Sequence, residues 1–164
     1  MKSIDFDGTG DYLTIDFGSS PIASSSVFTI EAWIYPRTIN NHGIFHWTDT
    51  TGTLDQTLYI SSTGHLSFYD GGDITANDGG GITAYAWNHI VMTRESDNYI
   101  RLIVNGTPHR TSTNTYTTAL ARYLEIGRYG SQATPFNGYI SNIRFSNNVR
   151  LSLIHISEPT RLSA

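Results

Sequence analysis

The chain has 164 residues and a net charge of −4 at pH 7; 38% of its residues are apolar, 15% are charged and 12% are aromatic. This length suits a single domain with one core, and the composition is typical of a strand-rich globular protein. Without a basic run or an apolar stretch of transmembrane length, we expect neither nucleic-acid binding nor membrane insertion. The lack of cysteine excludes disulfides and thiolate metal sites.

Short runs of alternating apolar and polar residues predict strands through the first half of the chain. Two runs, at residues 4–6 and 13–15, flank a Gly-Thr-Gly turn. The strongest run covers residues 26–35 and ends at Pro36. Further strands are predicted at residues 43–47, 57–60 and 66–69, with a hairpin turn at 62–64. The glycine-rich residues 70–81 are predicted to form a loop.

The second half continues as a series of consecutive strands. Residues 87–94 and 99–104 predict one pair, and Asn105-Gly106 predicts a hairpin because both residues accept positive φ. Residues 123–126 and 139–145 complete the set, with Tyr139, Ile143 and Phe145 expected on one face. About a dozen short strands predict an all-β sandwich or jelly roll. Its expected core contains Phe28, Ile30, Ala32, Ile34, Ile90, Met92, Leu102, Val104, Ile143 and Phe145.

Six segments of the chain carry a family resemblance: FDGTGDYLTI, FTIEAWIYP, WNHIVMTR, IRLIVNG, LEIGRYG and FNGYISNIRFSNNVR. In this order and spacing, over residues 3–150, they resemble laminin-G-like, concanavalin A-like jelly-roll domains. The resemblance implies an antiparallel two-sheet sandwich at residues 1–150 with adjacent first and last strands and binding sites on the loop rim or the concave face. It also implies one module of a larger multidomain protein that acts outside the cell, on a cell surface or on a virion.

Some proteins of this architecture are glycoside hydrolases, which need two carboxylates about 5 to 9.5 Å apart. A catalytic strand would carry a pattern such as E-x-D-x-E, and this sequence has none. Glu31 and Glu125 are isolated in their predicted strands. We therefore expect no enzymatic activity, and a divergent hydrolase is the weakest alternative.

Two pairs of residues in the sequence have side chains of the kind that bind metal ions. Asp7 and Asp11 flank the Gly-Thr-Gly turn, where carboxylates and backbone carbonyls could hold a structural Ca²⁺ ion. The alternative is turn chemistry, in which the aspartates accept hydrogen bonds from the loop backbone. His42 and His46 are expected on one face of a strand, but two imidazoles leave the coordination of a metal incomplete.

Aromatic side chains near strand ends are the predicted ligand-binding elements, because sugar rings pack on aromatic faces while polar groups bind hydroxyls. Trp33 and Trp87 match core positions of the family and are assigned to the core. The predicted ligand-binding residues are Trp47, Tyr69, Asp70, Asp73, Tyr85, Arg128 and Tyr129. The predicted function is non-catalytic recognition of a glycan or glycoconjugate. The alternative is a structural or protein-interaction module of a phage virion, a phage tail or a bacterial surface protein.

The resemblance stops after Arg150. The following segment, LSLIHISEPTR at residues 151–161, resembles a sequencing adapter translated in frame. We therefore predict that residues 151–164 are a non-native tail.

Overall fold

A computed structural model describes residues 2–18, 27–48, 56–70, 72–75, 81–96, 99–111, 122–130 and 134–150. These residues contain strands and turns and no α-helix. The strands are β1 (Ile4–Asp7), β2 (Leu13–Asp16), β3 (Phe28–Pro36), β4 (His42–Thr48), β5 (Gln56–Ile60), β6 (Leu66–Asp70), β7 (Asp73–Thr75), β8 (Asn88–Arg94), β9 (Ile100–Val104), β10 (Thr107–Thr111), β11 (Tyr123–Ile126) and β12 (Asn137–Ser146).

The strands form two six-stranded sheets. Sheet A has the order β1-β12-β3-β8-β9-β10, and sheet B has the order β2-β11-β4-β5-β6-β7. All the pairings are antiparallel, and β1 pairs with β12, so the first and last strands are adjacent. The predicted all-β, two-sheet sandwich is confirmed. Residues 8–12 lead from the edge of sheet A to the edge of sheet B.

One apolar core fills the space between the sheets, because alternate residues of each strand point inward. Phe28, Ile30, Ala32 and Ile34 on β3 are buried, as are the four core residues predicted on β8 and β9. Ile143 and Phe145 are only partly buried and pack against this core. The core prediction is therefore confirmed, with two residues at its margin.

A bulge in β12 overturns one prediction about side-chain direction. Tyr139 pairs with Tyr35 on the outer face of sheet A, whereas Phe145 pairs with the core residue Ile30. The register shifts between Ser141 and Arg144, where Asn142 has a φ of 52°. Extra residues at a bulge change the alternation. The expectation that Tyr139 and Phe145 share one face is wrong.

A second bulge separates the two histidines of β4. His42 pairs with Ile60 and His46 pairs with Thr57, with a register shift between Gly43 and Phe45. The imidazole of His42 lies 2.8 Å from the carbonyl oxygen of Pro135, and that of His46 lies 2.9 Å from the hydroxyl of Thr57. The two rings lie on opposite faces of sheet B, so they do not form a two-histidine metal site.

The predicted hairpin turn at Asn105-Gly106 agrees with the structure, whereas the predicted loop at residues 70–81 agrees only in part. Asn105 and Gly106 have φ values of 50° and 81° and join β9 to β10 as predicted. Residues 70–81, however, contain a strand, β7, which pairs with β6. Its pairing with an existing sheet edge overrides the low strand propensity of its glycine-rich surroundings.

The two tryptophans assigned to the core differ in burial, and neither lies between the sheets. Trp33 pairs with His89 and Ser141 on the outer face of sheet A, although its side chain is only 8% exposed. Trp87 is half-buried and packs against Tyr35, with ring centroids 5.5 Å apart. Both indoles therefore belong to the outer surface of sheet A and not to the core between the sheets.

Candidate ligand-binding site

Trp47 was predicted to bind a ligand, but its position in the structure does not allow this. Its ring is fully buried in the core, packed against Phe45 and Phe68. After the β4 bulge, the alternation turns Trp47 inward, opposite Leu124 of β11. No ligand can stack on a ring without exposed surface.

Tyr69, Asp70 and Asp73 lie together at the far edge of sheet B. Tyr69 of β6 is half-buried, and its backbone pairs with Asp73 of β7. Burial raises the pKa of the Asp70 carboxyl, while a hydrogen bond from Gln56 and the charge of Arg94 act in the opposite direction. The Asp70 carboxylate is thus already engaged in a buried polar cluster.

The remaining predicted residues occupy two other places. Tyr85 is 69% exposed in the loop before β8, and its amide donates to the carbonyl oxygen of Pro36. Arg128 and Tyr129 follow β11, where Tyr129 packs edge-on against Tyr59 with centroids 4.9 Å apart. Since β4 and β5 lie between β11 and β6, Arg128 is roughly 14 Å from the Tyr69 edge. The predicted set does not converge on one site.

A surface depression of about 540 Å³ lies at one end of the sandwich, and Arg128 lines it. The other lining residues are Gly8, Thr9, Gly10, Asp11, Tyr12 and Pro135. The β1–β2 turn forms one wall, and the segments that follow β11 and precede β12 form the other. This rim depression is the best candidate for a ligand-binding site among the described residues.

Arg128 is held in place by two contacts. Its Nη1 lies 3.3 Å from Glu125 Oε1, and its guanidinium carbon lies 4.8 Å from the centroid of the Tyr12 ring. A guanidinium carries five N–H donors, so these contacts leave donors available at the depression. Tyr12 is 45% exposed. An aromatic face, guanidinium donors and the carboxylate of Asp11 are therefore brought together.

Close backbone packing positions Arg128. A Cβ atom on Gly43 would lie 2.1 Å from the carbonyl oxygen of Arg128. Gly127 has a φ of 86°, and its amide donates to the carbonyl oxygen of Ile44. These glycines let the segment after β11 lie directly against β4. Tyr12 was missed by the sequence reasoning, although its position directly after Asp11 in the turn was a usable signal.

The β1–β2 turn uses its aspartates for its own hydrogen bonds. Asp7 Oδ1 accepts from the amide and the hydroxyl of Thr9 at 2.7 and 2.6 Å, which lowers the pKa of Asp7. Asp11 Oδ2 accepts from the amide of Asp7 at 3.3 Å. The described residues contain no cluster of three or more acidic or histidine side chains suited to a metal. These contacts match turn chemistry, so the donor set does not fit a calcium site without further ligands.

Glu125 and Asp73 of sheet B are too far apart to act together as a glycosidase pair. Glu125, His46, Thr57, Tyr69 and Asp73 follow one another across consecutive strands. At about 4.8 Å per strand, the backbones of Glu125 and Asp73 are roughly 19 Å apart. Hydrolases of this chemistry place their carboxyl groups about 5 to 9.5 Å apart.

The chain is similar in sequence and in fold to known proteins. The Laminin_G_3 family, described as the concanavalin A-like lectin/glucanases superfamily, matches residues 7–152. No curated protein matches the chain. Among solved structures, CBM40 of the Ruminococcus gnavus IT-sialidase, bound to α2,3 sialyllactose, is 14% identical with a TM-score of 0.69, and 92% of each chain is covered.

Two further structures share the fold at similar identity. A heptameric SAP-like pentraxin from Limulus polyphemus is 16% identical with a TM-score of 0.62, over 77% of this chain and 66% of the pentraxin chain. Domain 4 of AbnA, an extracellular arabinanase from Geobacillus stearothermophilus in complex with arabinotriose, is 15% identical with a TM-score of 0.59. That match covers 74% of this chain and 61% of the other. At these identities the likeness shows the fold.

Proposed function

The chain belongs to the concanavalin A-like lectin/glucanases superfamily, and from that premise we propose that it is a non-catalytic module that binds a glycan at the rim depression. The observation that carries the proposal is the stack of Arg128 on Tyr12 beside Asp11. Sugar rings present apolar C–H faces for an aromatic ring and hydroxyls for guanidinium and carboxylate groups. The solved relatives bound to sialyllactose and to arabinotriose support a glycan as the ligand class.

The absence of turnover is part of the proposal. Each glutamate of the described residues is engaged by arginine: Glu31 by Arg144, Glu95 by Arg101 and Glu125 by Arg128. Each of these carboxylates therefore already contacts a protein partner, whereas a glycosidase acid must face the glycosidic oxygen of its substrate. We also propose that the module acts outside the cell as part of a larger protein. Among the described residues, no helix is suited to crossing a membrane.

A glycan array followed by calorimetry on the best-bound glycan tests the proposal. Tyr12→Ala and Arg128→Ala should each weaken binding about tenfold or more, since each removes a stacking face or charged donors. Arg122→Ala is the matched control: Arg122 also stacks on a tyrosine, Tyr123, and pairs with Asp16, but it does not line the depression. An array without hits, or equal losses in all three variants, contradicts glycan binding at this site.

The same glycan provides the assay for catalysis. We expect no reducing sugar to be released when it is incubated with the protein over a range of pH. Release in proportion to the amount of protein would overturn the non-catalytic assignment.

Protein contact is the second candidate function, and one observation favours it. Ile4 on β1 and Leu13 and Ile15 on β2 are exposed at the edges of the two sheets. Exposed apolar side chains grouped at strand edges are typical of association surfaces. Concentration-dependent sedimentation, with a glycan array that shows no hits, would favour a structural or protein-interaction module.

A further inference from the structure

The outer face of sheet A carries an unusual series of side chains along β3. Tyr35, Trp33 and Glu31 are spaced two residues apart and point away from the core. Tyr35 packs against Trp87 and Tyr139, with ring centroids 5.5 and 5.8 Å apart. All three residues of this aromatic cluster are half-buried, and the guanidinium carbon of Arg37 lies 4.4 Å from the centroid of the Tyr139 ring. None of these residues lines the rim depression.

Two arginines converge on the carboxylate at the other end of this series. Arg144 Nη1 lies 3.2 Å and Arg150 Nη1 lies 3.8 Å from Glu31 Oε1. The side chains of Arg144 and Arg150 are 46% and 34% exposed, whereas Glu31 is covered at 11%. Two permanent cations against one carboxylate leave a local excess of positive charge on a protein of net charge −4.

Buried polar atoms between the aromatic cluster and the arginines have no hydrogen-bond partner among the described residues. They are Nε1 of Trp33 and Nε2 of His89, whose rings lie 5.2 Å apart. His89 Nε2 lies 3.8 Å from Glu31 Oε2, and Glu31 Oε1 forms its ion pairs with the arginines without an aligned hydrogen bond. Buried polar groups are normally hydrogen-bonded, so a buried group without a hydrogen bond needs a structural or functional reason. Here these atoms without a hydrogen bond lie beside the exposed side chains of Arg144 and Arg150.

We propose that this outer face of sheet A is a second binding surface, and that it takes an acidic oligosaccharide carrying carboxylate or sulfate groups. Arg144 and Arg150 bind the anionic group, because guanidinium donors match the planar and tetrahedral arrangement of its oxygens. The aromatic cluster of Tyr35, Trp87 and Tyr139 takes a sugar ring. Four residues along β3 separate Tyr35 from Glu31 by about 13 Å, so an oligomer spans both ends whereas a single ion does not.

Substitution of Glu31 and substitution of either arginine should change the affinity for the acidic ligand in opposite directions. Glu31→Gln keeps the shape of the side chain and frees both guanidiniums, so it should strengthen binding of the acidic ligand several-fold. Arg144→Gln and Arg150→Gln each remove one cation and should weaken it about tenfold. If the arginines served only to neutralise Glu31, these three variants would alter stability without this pattern in affinity.

The probes are polygalacturonate oligomers as the carboxylate, dextran sulfate as the sulfate and neutral dextran as the uncharged control, measured by calorimetry at low salt. We expect one or both acidic probes to bind, and binding to weaken as salt is added. Arg122→Gln and Tyr12→Ala should leave this affinity unchanged. The Tyr12 variant separates this surface from the rim depression, so failure of one site does not decide the other.

Three results would overturn the proposal: no binding of either acidic probe at low salt, an equal loss of affinity in Arg122→Gln, or weaker binding in Glu31→Gln. Melting curves of each variant show whether the protein is folded. Should Glu31→Gln fail to fold, the two arginine variants decide the question, since their side chains lie at the surface.

Discussion

At the scale of single residues, two leucines that both point toward the core differ in how much of the core surrounds them. Leu102 of β9 is fully buried, whereas Leu13 of the edge strand β2 is 43% exposed. We predict that Leu102→Ala lowers the free energy of unfolding by about 2 to 5 kcal/mol, through lost burial and a residual cavity. The matched change Leu13→Ala should cost clearly less. Urea denaturation checks both, and equal losses would contradict the observed packing.

His42 is a residue whose titration should affect stability. Burial lowers its pKa below 6.5, with a hydrogen bond to the carbonyl oxygen of Pro135 acting the other way. The unfolded chain therefore binds a proton at pH values where the native protein does not. The stability that His42 contributes is present above pH 6.5 and is lost as the pH falls below that value.

The measurement is the denaturation midpoint between pH 7 and 5 in the native protein and in His42→Gln. The variant should show a shallower decline with acidification. Burial also lowers the pKa of His89, so part of the decline should remain. His65→Gln, in the turn between β5 and β6, is the control, and an unchanged slope in His42→Gln would refute the prediction.

At the scale of elements, the contact between β4 and the segment after β11 links fold to site. A Cβ at Gly43 would overlap the backbone of Arg128 and Tyr129. Gly43→Ala should therefore destabilise the protein by about 1 to 3 kcal/mol and weaken glycan binding by displacing Arg128. Gly72→Ala is the control, because its added methyl group would meet open space. Thermal melts and calorimetry compare the two, and native-like behaviour of Gly43→Ala would exclude this role.

The β1–β2 turn is the element on which calcium binding depends. If Ca²⁺ binds there, Asp7 or Asp11 contacts it together with backbone carbonyls, and excess Ca²⁺ raises the melting temperature relative to EDTA. The hydrogen bonds of Asp7 to Thr9 instead favour a turn that is stable without the ion. We therefore expect identical melting curves in Ca²⁺ and EDTA. A higher melting temperature in Ca²⁺ that Asp7→Asn abolishes would establish the metal site.

The sequence predicted the positions of the strands more accurately than it predicted the directions of their side chains. The strand at residues 123–126 was predicted with its observed bounds, and the hairpin at Asn105-Gly106 has the expected positive φ values. Directions failed where bulges occur, at Gly43–Phe45 and Ser141–Arg144. A bulge arises from the register of two paired strands, and neither strand alone records it.

At the scale of the whole molecule, deletion of the tail after Arg150 would test whether that tail is native. Residues 151–164 lie outside the described residues, and the family match ends at residue 152. If the tail is the translated adapter that its sequence resembles, selection has not acted on it, and deleting residues 151–164 should leave the melting temperature and ligand binding unchanged. A marked loss of stability, or the same tail in an independently cloned genomic copy, would show that the segment is native.

The sequence by itself determined the all-β class, most strand positions, the family and the majority of the core, because alternation and turn residues are local signals that the sandwich preserves. Only the tertiary structure decided which aromatic residues a ligand can reach. Trp47 was predicted to bind a ligand and Tyr12 was not, yet Trp47 is enclosed by β11 and the core while Tyr12 lines the rim depression. The convergence of Arg144 and Arg150 on Glu31 also brings together residues that are more than a hundred positions apart in the chain. Such contacts arise from sheet order and register, which local sequence patterns do not specify.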